Sequence, residues 1–191
     1  MRLLMIRHGR TEWNAVRRIQ GRTDVPLSPE GRAEQAGRAV PPAFRDAPCR
    51  VSPLSRARET AALLGLDGAV IDERLIEMDF GEWEGRTHAE LRAADPSGLE
   101  EQESRGLDMR PPGGETPREV QARLTGLLAE LTGDRVVLVT HKGVMRAALS
   151  LAWGWDMTAD PPVRIDWSAG QVLSWHGGAL DVDAVNLPLA P

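Results

Sequence analysis

The stretch Leu3-Leu4-Met5-Ile6-Arg7-His8-Gly9 decides the fold of this chain. Four apolar residues without a polar interruption are typical of a short strand that is buried on both faces of a parallel sheet. Arg7 and His8 then lie at the carboxyl end of that strand, which is the edge where open α/β sheets bind ligands. Gly9 allows a sharp turn or a close approach to a ligand. A strand that ends in two solvated polar side chains is the alternative.

The same pattern returns at Val136-Val137-Leu138-Val139-Thr140-His141-Lys142-Gly143. An apolar strand again ends in a histidine, His141, and a glycine follows two residues later. Residues 144–149 are mostly apolar and predict a buried helix. If the two strands are neighbours in one sheet, His8 and His141 face each other across a single crevice. The repeated pattern therefore favours a ligand site over two solvated strand ends.

The composition narrows the classes of function. With 191 residues, the chain is expected to form a single domain over residues 1–191 with a substantial core. The net charge of −5 gives no basic surface for nucleic acid, and no apolar segment approaches the ~20 residues of a membrane span. The single cysteine, Cys49, excludes an intramolecular disulfide. Together with an N-terminus unlike a signal peptide, it favours the cytoplasm.

A second anion site is predicted in the segment that follows Cys49. Residues 50–52 are expected to form a strand, and residues 53–64 a helix with its apolar residues on one face. Arg56 then lies in the first helical turn, where guanidinium and free backbone N–H groups both favour phosphate. A solvated surface arginine is the alternative. A cysteine-type phosphatase needs an arginine six positions after its cysteine, and that position is Ser55.

The loop of residues 75–85 contains four carboxylates among bulky apolar residues: Glu77, Asp79, Glu82 and Glu84. A carboxyl group that packs against apolar neighbours keeps its proton more readily, which suits a general acid. The composition does not identify which of the four has this role. An acidic, solvated loop is the alternative.

The remaining segments predict alternating helices and strands. Ser28 as N-cap and Pro29 at the first position predict a helix that ends before Pro41, with an apolar stripe formed by Ala33, Ala36 and Val40. Further helices are expected at 87–94 and, after the capping box Thr116–Glu119, up to residue 131. Residues 95–110 are expected to be loop. Short strands are expected at 69–71, 163–167, 172–175 and 179–185, the last three as antiparallel members of the sheet.

Taken together, these residues resemble the histidine phosphatase superfamily, the phosphoglycerate mutase-like proteins. Within it the chain looks most similar to small phosphatases such as the broad-specificity and α-ribazole phosphatases. The resemblance extends from residue 3 to about residue 150, in six blocks that follow the order of the family. The blocks are Arg7-His8-Gly9 with Thr11 and Asn14; Gly21, Asp24–Ser28 and Gly31-Arg32; Ser52–Ala57 with Thr60; Glu77, Asp79-Phe80-Gly81 and Trp83-Glu84-Gly85; Pro112–Glu115; and Thr140-His141 with Gly143.

The resemblance implies an α/β three-layer sandwich, with helices on both faces of a mostly parallel central sheet. It also implies the roles of five residues in a reaction that passes through a phosphohistidine. His8 is expected to be the nucleophile, and Glu77 the proton donor to the leaving group. Arg7, Arg56 and His141 are expected to hold the phosphate oxygens.

Four further residues near His8 are candidates for substrate binding. Asn14 and Gln20 match family positions that often add hydrogen bonds, and Thr11 and Gly9 lie close to His8 in the sequence. The resemblance implies no metal and no other cofactor. The two remaining histidines stand in no metal-ligand spacing and are expected at the surface: His88 and His176.

Hydrolysis of a small phosphomonoester is the expected activity. Mutases of the family have a longer interval between the acidic loop and the Pro-Gly-Gly-Glu turn, which here spans only residues 86–110. Phosphoryl transfer of the mutase type is the alternative. A non-catalytic phosphate-binding regulatory protein is a third hypothesis, and the intact set of candidate residues disfavours it. The sequence assigns no substrate, no oligomeric state and no role for Lys142, which is often a small residue in the family.

Overall fold

The computed structural model describes residues 1–189. Its strands are β1 (Arg2–Arg7), β2 (Cys49–Val51), β3 (Val70–Ile71), β4 (Arg135–Thr140), β5 (Gly170–His176) and β6 (Ala179–Leu187). Its α-helices are α1 (Glu12–Ala15), α2 (Pro29–Ala36), α3 (Ser55–Leu63), α4 (His88–Ala94), α5 (Pro96–Ser104), α6 (Pro117–Glu130) and α7 (Lys142–Trp153).

The six strands found in residues 1–189 form one sheet in the order β3-β2-β4-β1-β5-β6. The first four run parallel to one another, whereas β5 and β6 add antiparallel pairs at one side. The prediction of a mostly parallel sheet with antiparallel members is therefore confirmed.

The apolar residues of β1 alternate between the two faces of the sheet, so both faces are buried. Leu3 and Met5 face a core cluster formed with α6 and α7. Leu4 and Ile6 face the opposite way, into a cluster that includes the buried side of α3. Since both faces of the sheet are covered by helices, the predicted three-layer α/β sandwich is confirmed.

The strand predicted at residues 163–167 is wrong. This segment turns, because its polar groups bond to side chains instead of a neighbouring strand. The Asp166 carboxylate accepts the N–H of Ser168 at 2.8 Å, and the Asn186 side chain accepts the N–H of Asp166 at 2.6 Å.

Helix α2 begins as predicted and ends early. The Ser28 hydroxyl accepts the N–H of Gly31 at 3.0 Å, but the helix stops at Ala36 with Gly37 as its C-cap. The predicted stripe is also wrong in part, since Ala33 and Ala36 are exposed. A glycine favours helix termination, and alanine is too small to mark a buried face reliably.

The segment between the acidic loop and the Pro-Gly-Gly-Glu turn is more regular than predicted. Helix α4 confirms the expectation for residues 87–94, but the loop predicted afterwards contains α5. Asp95 caps this helix by accepting the N–H of Gly98 at 2.9 Å, and Pro96 occupies its first position. Its Leu99 packs with Leu91 and Trp83 in a small core cluster of its own. No helix in residues 1–189 combines the length and apolar character needed to cross a bilayer.

Candidate active site

The register of the sheet brings the two strand-end histidines together. Strands β1 and β4 are paired in parallel, with Arg7 opposite Thr140. The residues that follow, His8 and His141, have their ring centroids 5.1 Å apart. The expectation that both histidines meet at one edge of the sheet is therefore confirmed.

The His8 ring is held by its own backbone. Its Nδ1 lies 2.7 Å from the Gly9 carbonyl oxygen, so Nδ1 carries the hydrogen and Nε2 keeps its lone pair. The Gly9 N–H in turn donates to the Thr60 hydroxyl at 2.9 Å. Burial lowers the pKa of His8 well below its usual value, and the charges of Arg7 and Arg56 lower it further. His8 is thus a neutral imidazole with one nitrogen available.

His141 lies beside His8 and is completely buried. Its Nε2 is 2.6 Å from the Ser52 hydroxyl, and its Nδ1 has no partner in residues 1–189. Burial lowers the pKa of His141 well below its usual value, with the neighbouring His8 ring and Arg56 adding to the effect. His141 does not itself reach the wall of the cavity described below.

Arg56 is a completely buried arginine at the start of α3. It donates to the carbonyl oxygens of Gly21 at 2.7 Å and Thr23 at 2.8 Å, while its Nε is unbonded. The first N–H of the helix is already used, because Ser55 donates from its backbone to Asp24 at 2.8 Å. The surface alternative for Arg56 is therefore wrong.

Glu77 is held by two backbone groups. Its carboxylate accepts the N–H of Met78 at 2.8 Å and the N–H of Gly143 at 3.1 Å. A Cβ atom on Gly143 would lie 2.3 Å from Oε1 of Glu77, so only glycine allows this approach. The glycine two residues after His141 thus positions the carboxylate next to the histidine pair.

The other carboxylates of the acidic loop have structural partners or face solvent. Asp79 accepts the N–H of Gly81 at 2.8 Å. Glu84 accepts backbone N–H groups of the loop that contacts Arg56, from Arg22 at 2.8 Å and from Thr23 at 3.0 Å. Glu82 is exposed. Of the four candidates, only Glu77 lines the cavity beside His8, as far as residues 1–189 describe it.

The four predicted substrate-binding residues have different surroundings. Thr11 and Asn14 form a capping box for α1, in which the side-chain oxygen Oδ1 of Asn14 accepts the Thr11 N–H at 3.0 Å. Asn14 and Gln20 both line the cavity, and the buried Gln20 Oε1 has no partner in residues 1–189. Thr11 does not line it, and Gly9 lines a neighbouring cavity of about 320 Å³.

A cavity of about 370 Å³ opens in front of His8. We call its inner part the phosphate end, lined by Arg7, His8, Arg56 and Glu77. Burial lowers the pKa of Arg7, and Glu77 opposes this shift. We call the remainder the outer end, lined by Phe80, Trp83, Met109, Lys142 and Arg146.

The outer end was missed by the sequence analysis. Met109 and Gly106 belong to the segment predicted as loop, and Arg146 lies on a helix that was interpreted as core. Ser52 and Thr60 were also given no role, although they fix His141 and Gly9. For Ser52 a signal existed, since it directly follows strand β2, as His8 follows β1.

The two remaining histidines are exposed, as expected, although His88 borders the outer end of the cavity. Within residues 1–189 no group of three or more His, Cys, Asp or Glu side chains is arranged to hold a metal ion. Independence from metal remains a prediction.

The family follows from comparison with known proteins. The sequence model of the histidine phosphatase superfamily (branch 1) matches residues 3–188. Glucosyl-3-phosphoglycerate phosphatase of Mycobacterium tuberculosis is 40% identical over 167 residues, which is 79% of this chain and 74% of the relative. A probable phosphoglycerate mutase of Enterobacter sp. is 32% identical over 177 residues, covering 86% and 80%.

A solved structure gives the same result. The mycobacterial glucosyl-3-phosphoglycerate phosphatase in complex with VO3 superposes with a TM-score of 0.83 at 32% identity, covering 98% of this chain and 99% of that one. The chain belongs to the histidine phosphatase superfamily. It is an enzyme of the phosphatase class, which hydrolyses phosphomonoesters, as the resemblance in its sequence implied.

Proposed function

We propose that this chain hydrolyses a small phosphorylated metabolite in two steps, through a phosphohistidine on His8. The observation that carries the proposal is the 2.7 Å contact between Nδ1 of His8 and the Gly9 carbonyl oxygen. This contact orients the ring, and the lowered pKa of His8 keeps Nε2 free of a proton. A neutral imidazole nitrogen that is fixed in a pocket is a competent nucleophile toward phosphorus.

In the first step, Nε2 of His8 forms a bond to phosphorus while the bond to the leaving oxygen breaks. Arg7 and Arg56 stabilise charge on the transferring oxygens, which is the main catalytic demand of phosphoryl transfer. A third oxygen is assigned to the unbonded Nδ1 of His141, which lies buried behind His8 and has to become accessible when the substrate binds. Asn14 and Gln20 add neutral hydrogen bonds. Thr11 supports this set through Asn14, and Gly9 supports it through His8.

Glu77 supplies and recovers the proton. In its protonated form it gives a proton to the leaving alkoxide, which becomes an alcohol. In the second step a water molecule attacks the phosphohistidine, Glu77 takes the proton of that water, and inorganic phosphate leaves. This dual use of one carboxyl group is supported by the position of Glu77 in the wall of the cavity in front of His8.

Hydrolysis is favoured over mutase activity by access of water. The neighbouring cavity of about 320 Å³ reaches Arg7 and His8 from the side of Trp167 and Ser168. Water in this cavity would lie next to His8, whereas a mutase must keep water away from the phosphohistidine. The 40% identity to a phosphatase, against 36% to a 2,3-bisphosphoglycerate-dependent phosphoglycerate mutase and 32% to a probable one, supports the same choice.

A phosphate-release screen tests this function. The wild type is incubated with sugar phosphates, nucleotides, phosphoglycerates and α-ribazole phosphate, without added metal and in the presence of a chelator. We expect release of inorganic phosphate at an undiminished rate when the chelator is present. Conversion of 3-phosphoglycerate to 2-phosphoglycerate that is faster than phosphate release would instead assign mutase activity. Loss of activity with chelator, restored by metal, would overturn the metal-independent mechanism.

We also place this activity in the cytoplasm. Cys49 is buried, and burial raises the pKa of its thiol to about 12, so it persists as an unreactive thiol. A chain whose single cysteine is a buried thiol suits a reducing compartment. Cell fractionation with an antibody to the chain checks this, and recovery in an extracellular fraction would contradict it.

A further inference from the structure

Two cations of helix α7 face the outer end of the cavity. Lys142 and Arg146 are four residues apart, so they lie one above the other on the same side of the helix. Both are partly buried, and both line the cavity that also contains His8. The proposed chemistry gives neither of them a role.

Neither cation forms an ion pair within residues 1–189; the charge of Glu77 acts on Lys142, and that of Asp160 on Arg146, from beyond salt-bridge distance. Within residues 1–189, no carboxylate oxygen lies within 4.0 Å of either head group, and neither donates a hydrogen bond. Instead each rests on a tryptophan ring. The Lys142 ammonium is 5.4 Å from the centre of Trp167, and the Arg146 guanidinium is 5.0 Å from the centre of Trp155. The rings hold the cations in position and leave their hydrogen-bond donors free.

This arrangement is unfavourable in the absence of an anion. Burial lowers the pKa of Lys142, and the charges of Arg146 and Arg7 lower it further. Burial also lowers the pKa of Arg146. Partly buried charges are normally paired, because desolvation is otherwise uncompensated. Arg123, which is also partly buried, follows that rule, since it contacts Glu115 at 2.9 Å.

We propose that Lys142 and Arg146 bind a second anionic group, a carboxylate or a phosphate, on the leaving-group portion of the substrate. The inference rests on the proposed function, because it assigns the other half of the same substrate. Arg7 and Arg56 neutralise the phosphoryl group at the phosphate end. The free cations of the outer end then select an alcohol that carries its own negative charge.

A matched pair of substrates tests this assignment. 3-Phosphoglycerate and glycerol 3-phosphate both release a primary alkoxide. They differ in one group, which is a carboxylate in 3-phosphoglycerate and a hydroxymethyl group in glycerol 3-phosphate. We expect the wild type to prefer 3-phosphoglycerate in kcat/KM by about a hundredfold, since each of the two charge-assisted hydrogen bonds contributes about tenfold. Propane-1,3-diol bisphosphate, compared with the monophosphate, measures the same preference for a second phosphate.

The variants Lys142→Met and Arg146→Met keep the apolar stems and remove the charges. Each is expected to reduce the preference for the anionic substrate by about tenfold, and the double variant to abolish it. Arg58→Met, an exposed cation on α3, is the matched control and should leave the ratio unchanged. A preference that persists in the double variant, or a wild type without any preference for either second anion, would overturn the subsite.

If the chain does not hydrolyse phosphomonoesters at all, the experiments give a different result from failure of the subsite. Absence of phosphate release from 3-phosphoglycerate, glycerol 3-phosphate and 4-nitrophenyl phosphate alike would refute hydrolysis without bearing on the subsite. Calorimetric titration of the wild type and the double variant with 3-phosphoglycerate then still tests the subsite. Weaker binding by the double variant supports it, and equal binding contradicts it.

Discussion

At the phosphate end of the cavity, polar side chains are held by backbone groups, whereas at the outer end two cations rest on tryptophan rings and form no ion pair within residues 1–189. His8 is held by Gly9, Glu77 by Met78 and Gly143. The outer end is completed by short helices that pack around a small cluster of their own. We infer that the sheet positions the residues that carry out the reaction, and that the peripheral segments select the substrate.

Replacement of Glu77, at the phosphate end, should reduce the rate more than any replacement at the outer end. Glu77→Gln keeps the shape and removes the acid, and general acid catalysis contributes ~10²–10⁴-fold. We expect a loss of that size for a sugar phosphate, whose alkoxide must be protonated. Phosphorylation of His8 by 4-nitrophenyl phosphate should be reduced far less, because nitrophenolate leaves unassisted.

The measurement is a burst or single-turnover experiment, since Glu77 also acts on water in the second step. Glu82→Gln, an exposed carboxylate of the same loop, is the control. Equal losses for both leaving groups in the first step would mean that Glu77 only positions the loop or the phosphate.

Arg56→Ala should reduce kcat by about 10²–10³-fold, as expected for one preorganised contact to developing charge. The variant also frees the carbonyl oxygens of Gly21 and Thr23, so its melting temperature should fall as well. The exposed Arg58→Ala on the same helix is the control. Near-wild-type kcat in a destabilised Arg56→Ala protein would limit Arg56 to a structural role.

The titration of His8 should distinguish this residue from an ordinary histidine, because its pKa is lowered well below the usual value. Because burial, Arg7 and Arg56 lower its pKa, His8 should remain mostly neutral as the pH falls below 6.5. An unshifted imidazole would be about 90% protonated at pH 5.5. The NMR shift of its ring proton measures this, with the urea-unfolded chain as reference. A folded midpoint at or above the unfolded one would contradict the account.

Arg18→Ala should have the smallest effect, within about threefold in kcat/KM. Arg18 also borders the cavity, but its side chain is exposed and already lies 3.7 Å from Glu90. Exposed ion pairs contribute about 0–1 kcal/mol. A loss as large as that of Lys142→Met or Arg146→Met would remove the distinction between free and paired cations at the outer end.

The contrast between the two ends of the cavity also explains which site residues could be predicted from the sequence. His8, His141 and Arg56 could be located because strand ends and helix starts follow from local patterns of apolar residues and caps. The choice of Glu77 among four carboxylates required the resemblance to the family, since only a tertiary contact shows that Glu84 binds a backbone group elsewhere, at Arg22.

The outer end of the cavity could not be predicted from the sequence, for a physical reason. Helix α5 is short and polar, and a single buried leucine, Leu99, gives it no periodic apolar pattern. Lys142 and Arg146 interrupt an otherwise apolar helix, but only packing places them on the cavity and on tryptophans distant in the sequence. The compact strand-end site is thus encoded locally, whereas the outer end depends on packing between segments.

The most direct test of the central claim is the chemical identity of the covalent intermediate. The wild type is mixed with 4-nitrophenyl phosphate, quenched in base within milliseconds and digested, and the phosphorylated peptide is identified by mass spectrometry. We expect one acid-labile, base-stable phosphoryl group on His8, present also in the control His176→Asn and absent from His8→Ala, which should lose essentially all turnover. A phosphoryl group on another residue, or normal turnover by His8→Ala, would contradict the account.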